Sequence, residues 1–181
     1  MAHSKPDALS PPLPSPLPPP SPHALAHTVP LIRIQSEKFN FSAEIARLTT
    51  GDNDVGAVVT FTGLCRDEGG RLKALELEHY PGMAEAELGR VAHDACQRWP
   101  LTGLTAIHRH GLVNPGEDIV LVITASMHRG AAFAAAEFMM DFLKTRAPFW
   151  KREHLLDGTI GGWVEAKASD DQSAARWQSQ V

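Results

Sequence analysis

The chain has 181 residues, 43% of them hydrophobic, with 17 Lys and Arg against 21 Asp and Glu and a formal net charge of −4 at pH 7. This acidic balance argues against a broad nucleic-acid surface, and no window reaches the roughly 18 uninterrupted apolar residues of a membrane span. Two cysteines, Cys65 and Cys96, make neither a disulfide framework nor a Cys-x-x-Cys zinc site, so a reducing cytoplasm is the expected compartment.

Residues 1 to 30 hold ten of the fourteen prolines and, among charged residues, only Lys5 and Asp7. Such a segment lacks the apolar surface to offset the entropy of ordering and is expected to be a disordered, partly polyproline II tail. Residues 31 to 181 are then expected to form one domain around one core.

Within that domain, GAVVTFTG from Gly56 reads as a strand closing at Gly63, followed by the loop CRDEGGR. LKALELEHY alternates Leu75, Leu77 and His79 with Glu76, Glu78 and Tyr80, the pattern of a half-buried strand that Pro81-Gly82 ends. From Met83 to Trp99, apolar residues recur at three- and four-residue steps, which predicts a helix with one inward face. A strand is predicted from Leu104 to His110, then the turn NPGE and the near-continuous apolar run DIVLVITAS of a central strand.

A second helix is predicted from about Gly130, apolar nearly all round and hence buried, ending near Arg146 because Pro148 disfavours helical geometry at Ala147. FWKREHL and GGWVEAK read as strands joined by a turn around Leu156 to Gly162. Paired strands between two principal helices predict an α+β domain with mainly antiparallel strands.

The stretch LKTRAPFWKRE gathers Lys144, Arg146, Lys151 and Arg152 within nine residues of an acidic chain. By spacing alone, Lys144 reads as a cation in a last helical turn with Asp141 as an ion-pair partner. The sharper reading makes it an acid, base or nucleophile beside anion-binding groups. Two like charges 4 Å apart interact by only about 1 kcal/mol in water but about 4 kcal/mol at an effective dielectric of 20, so that reading requires partial burial. His128 and Arg129 precede the second helix, whose free amides suit a phosphate, and Arg66 offers a planar fork in the loop after the first strand. His108 and His110 share a strand face but lack a third ligand at metal-site spacing. Cys65 has no local base to make it a thiolate.

AVVTFTGLCRD, LELEHYPGM, IHRHG with NPGEDIV, SMHRGAAF, FMMDFLKTRAPFWKRE and WVEAK, in this order, resemble the MoaE family, the large catalytic subunit of molybdopterin synthase. The match spans roughly Ile32 to Trp177. The resemblance implies a fold with an α/β-hammerhead portion and a sulfurtransferase that installs the dithiolene of molybdopterin on cyclic pyranopterin monophosphate. Sulfur arrives as a thiocarboxylate on the C-terminal Gly-Gly of a small ubiquitin-like carrier of the MoaD type, and two large subunits form the centre of a heterotetramer. No metal or cofactor is implied. Carried over by position, Lys144 matches the lysine at the carrier's C-terminus and Lys151 a second lysine at the substrate. Leu64, Cys65, Arg66, His128, Arg129, Arg152 and Glu153 match substrate-binding positions. Lys167, where the family more often has arginine, is expected to reach a neighbouring subunit's pocket without the bidentate fork.

Two other readings fit the same residues: a non-catalytic scaffold that docks a ubiquitin-like tail, and a lysine-dependent lyase acting on a phosphorylated carbonyl compound.

Overall fold

The computed structural model describes residues 28–145, 147–163 and Trp177. Its first two elements have no counterpart in the sequence reading. Strand β1 (Leu31–Gln35) is half-buried at every position, so no alternation marks it. Helix α1 (Phe41–Thr49) begins at Asn40, whose side chain accepts from the Ala43 N–H at 3.1 Å. Glu44 is buried on this nine-residue helix, paired with Arg33 and, at 3.3 Å, with Arg47. An inward face built partly of charge escapes any hydrophobic template.

The remaining elements follow the predicted order. Strands β2 (Ala57–Leu64) and β3 (Leu72–His79) precede helix α2 (Met83–Arg98), and strands β4 (Leu101–Arg109), β5 (Gly111–Val113) and β6 (Asp118–Ser126) follow it. Helix α3 (Arg129–Thr145) and strands β7 (Phe149–Leu155) and β8 (Ile160–Trp163) complete the described fold. The three-residue β5 was not predicted, and β8 starts inside the stretch read as a turn. Val164 to Lys167, read as the rest of that last strand, lie outside the described residues, as do residues 1–27 of the proline-rich segment.

Two four-stranded sheets result. The first runs β1-β4-β6-β2, with β1 parallel to β4 and the other pairs antiparallel; the second runs β5-β3-β7-β8, antiparallel throughout. The chain passes from β4 in one sheet to β5 in the other at Gly111, whose φ of +81° is one that a side-chain-bearing residue rarely adopts.

Both faces of the first sheet are covered, which explains why β4 and β6 are buried at most positions. On one face, Leu88, Val91 and Ala95 of α2 and Phe138, Met139 and Phe142 of α3 pack with Leu104, Ala106 and Val122. On the other, Phe39, Phe41, Ile45 and Leu48 pack against Ile107, Leu121 and Ile123. A smaller cluster of Cys65, Leu72, Leu77 and Val113 fills the join between the sheets.

Helix α3 corrects one expectation. It buries a single stripe, Ala132, Ala135, Ala136, Phe138, Met139 and Phe142, while Phe133 stays 62% exposed. The sheet and α2 approach it from one side, which leaves Phe133 exposed and Ala131 and Ala134 half-buried on the other. Its described residues run to Thr145, and Arg146, near which it was expected to stop, lies outside the described residues.

Candidate active site

The C-terminus of α3, the end of β2, and strands β3 and β7 enclose a cavity of about 460 Å³ between the two sheets. This is within the size range of small-molecule sites. Six of the residues singled out in the sequence line it: Leu64, Cys65, Arg66, Lys144, Lys151 and Glu153. Phe61, Leu72, Leu75, Ile119, Met140 and Leu143 supply apolar wall.

Strand geometry sorts the basic stretch. Alternate side chains of β7 point to opposite faces, so Phe149, Lys151 and Glu153 share one face and Trp150, Arg152 and His154 the other. Lys151 and Glu153 line the cavity. Arg152 instead donates to Glu76 on β3 at 2.6 Å, lies 3.7 Å from Glu78, and has its guanidinium 4.8 Å from the Trp163 ring centroid. His154 Nε2 meets the same Glu76 oxygen at 2.6 Å. Arg152 thus ties β3, β7 and β8 together on the sheet face away from the cavity. Its bond to Glu76, followed by that of His154, holds the Glu76 carboxyl down to about 2.

Beyond β2 the backbone bulges at Gly63/Leu64 and enters a loop in which Glu68, Gly69 and Gly70 all have positive φ. That run brings Glu68 back to Arg66, whose guanidinium donates to its carboxylate at 2.7 Å. Arg66 thereby stands exposed at the cavity rim, held by one carboxylate. Cys65 is buried, its N–H donating to the Glu117 carbonyl at 2.8 Å, and burial raises its thiol pKa. A buried, protonated thiol is wall, not nucleophile.

Lys144 occupies the last turn of α3 and is exposed at the cavity mouth. The carboxylate of Asp141, its expected partner, accepts the indole N–H of Trp177 at 2.7 Å. His128 and Arg129 lie at the other end of the same helix, about 22 Å away at 1.5 Å of rise per residue, and do not line the cavity. Arg146 and Lys167 lie outside the described residues.

The sequence reading missed His108 as a site residue. Weighed there only as a metal ligand, it lines the cavity from β4, 6% exposed. Its ring stacks on Phe149, with centroids 3.7 Å apart and planes 16° apart, and Nδ1 lies 2.7 Å from the Arg109 carbonyl. Burial above all, then the charges of Lys151, His79 and His110, push its pKa down to about 4 against the upward pull of that carbonyl. Its neighbour in the predicted pair, His110, packs instead on His79 at 4.8 Å. Among the described residues, no three His, Cys, Asp or Glu side chains are grouped to hold a metal ion.

Residues 34–146 match the MoaE protein family. The chain belongs to that family. A relative from Mesorhizobium japonicum, a molybdopterin synthase catalytic subunit, is 67% identical over 150 residues, covering 83% of this chain and 94% of the relative. Among solved structures, a molybdopterin biosynthesis MoaE protein from Burkholderia ambifaria superposes with a TM-score of 0.71 at 45% identity, over 82% of this chain and 98% of that one. Molybdopterin synthase from Staphylococcus aureus gives 0.65 at 31% identity, over 73% and 95%. The family match takes in β2 to β6 and α3, with Leu64, Cys65, Arg66, His108 and Lys144 of the cavity, and ends before β7.

Proposed function

We propose that this chain is the catalytic subunit of a molybdopterin synthase. It forms the dithiolene of molybdopterin on cyclic pyranopterin monophosphate, with sulfur from the C-terminal thiocarboxylate of a small MoaD-type carrier subunit. The observation that carries this reading is the convergence of Lys144, Lys151 and Arg66 on one cavity between the sheets, in a chain so similar to relatives of that name.

The chemistry needs positive charge at two places. The substrate brings a phosphate, and the carrier's acyl group becomes a carboxylate once sulfur is lost. Lys144, at the end of α3, is suited to meet the carrier's terminus, and Lys151, on β7, to meet the substrate; both are exposed and line the cavity. Lys144 is exposed in the isolated chain, so its proton-transfer role depends on the carrier tail excluding water from the mouth and strengthening the local field. Arg66 would exchange its Glu68 partner for, or share it with, an anionic ligand.

His128 and Arg129 fit the same reaction only if a second copy of the chain supplies them, because the length of α3 separates them from Lys144. That requirement agrees with a pair of large subunits at the centre of a heterotetramer. Buried Cys65 and half-buried Cys96 are both free thiols, which suits a reducing cytoplasm.

The test combines this chain, a thiocarboxylated carrier and cyclic pyranopterin monophosphate, with product read as a fluorescent pterin derivative. Product is expected from the parent, and Lys144→Ala is expected to lower its rate by roughly 10²- to 10⁴-fold while the carrier still binds. Carrier binding without product from the parent would turn the reading toward a docking scaffold.

A further inference from the structure

The polar residues of the cavity are unevenly distributed. Arg66, Lys144 and Lys151 can only donate hydrogen bonds, and all three are exposed. Of the two carboxylates, Glu68 accepts from Arg66 at 2.7 Å and is exposed, and Glu153 is half-buried. His108 is the one buried polar side chain among the described residues of the lining. Its Nδ1, 2.7 Å from the Arg109 carbonyl, must carry a proton to make that contact. In the neutral ring Nε2 then bears the lone pair. Burial above all keeps the ring neutral, and Lys151 on β7, His79 on β3 and His110 just beyond β4 also oppose a charge on it. The Phe149 stack fixes the ring plane.

This inference rests on the molybdopterin synthase reading and assigns an orientation to its substrate. A pterin presents ring N–H donors at one end, while the cyclic phosphate at the other end presents only acceptors. We propose that His108 is a specificity-determining residue whose Nε2 accepts a hydrogen bond from a pterin N–H, directing the heterocycle inward and the phosphate toward Arg66 at the rim. Beside the carboxylates of Glu68 and Glu153, His108 offers the pterin edge a buried neutral acceptor, and its loss leaves a pterin N–H unpaired at a cost in affinity.

The experiment uses the full chain and cyclic pyranopterin monophosphate without carrier, so that no turnover occurs, and then the complete assay. His108→Phe keeps a stacking ring but removes the acceptor, and should weaken substrate binding by roughly 10- to 100-fold, read as a rise in KM larger than the fall in kcat. His108→Gln, whose carboxamide reaches the position of Nε2, should recover most of that loss. In the parent labelled with ¹⁵N-histidine, the Nε2 resonance should move upfield as substrate saturates the site.

Equal substrate affinity in parent and His108→Phe, equal loss in both variants, or an Nε2 resonance unmoved at saturation would each overturn the proposal while leaving the synthase reading intact. A parent that forms no product and binds no substrate would overturn that reading and this inference with it. The resonance measurement requires no variant to fold.

Discussion

His108 on β4 and Phe149 on β7 stack with centroids 3.7 Å apart, a contact that joins the first sheet to the second at the wall of the cavity. Lys151 and Glu153 follow Phe149 at two-residue steps on the same strand face, so the stack sets where both side chains enter. Phe149→Leu keeps apolar bulk and loses the ring. The expected cost is about 1 kcal/mol of stability, the usual worth of an aromatic pair. A fall in kcat/KM is expected beside it, as Lys151 loses its fixed height. Denaturant melts and the product assay check the two effects separately; unchanged kinetics would show that the stack only glues the sheets.

Cys65 lines the cavity, yet its buried thiol is held protonated. Sulfur transfer through it would need a thiolate. Cys65→Ala is therefore expected to keep product formation within a few-fold of the parent and to lower stability by about 1 kcal/mol, the typical cost of a core substitution. Complete loss of product by a folded variant would put the thiol in the reaction.

Acid should unfold the protein in two overlapping stages with identifiable causes. His108 has a folded pKa of about 4 against an ordinary 6.5. The unfolded chain therefore takes up this proton first, and stability falls as pH drops from 6.5 to 4, by on the order of 3 kcal/mol. Glu76, held by Arg152 and then His154, and Glu117, held chiefly by Lys38 and the Asn114 N–H, both lie at about 2 against 4.5. Their contribution is complete above 4.5 and lost as pH falls through 2. Thermal midpoints measured from pH 7 to pH 2 should show His108→Gln flattening the first stage and Glu76→Gln the second. A first stage equally steep in His108→Gln would remove His108 as its source.

If a second copy supplies His128 and Arg129, two defective variants should complement each other. Lys144→Ala and Arg129→Ala are each expected to be inactive alone. Unfolded and refolded together, they should form mixed dimers with one intact site in two, recovering about a quarter of parent activity. Recovery of none would place all the essential groups of a site on one chain, or His128 and Arg129 outside the site.

Local periodicity carried much of this protein into view. The alternation in LELEH marked β3, the three- and four-residue steps marked α2, and the apolar run DIVLVITAS marked β6, because each element's burial pattern follows its own backbone geometry. The cationic stretch around Pro148 was equally plain. Helix α1 was not, since its buried residue is Glu44, whose arginine partners come from β1 and from its own next turn. Alternation along β7 already separates Lys151 and Glu153 from Arg152, but it cannot say which of the two faces meets the cavity. That depended on Glu76 across the sheet and on His108, 41 positions before Phe149 in the chain, arriving on opposite sides of the same strand. The sequence by itself determined most of the elements, the charge and the family; the tertiary structure decided which side chains share the cavity, because a strand's pattern specifies two faces and only packing against distant segments chooses between them.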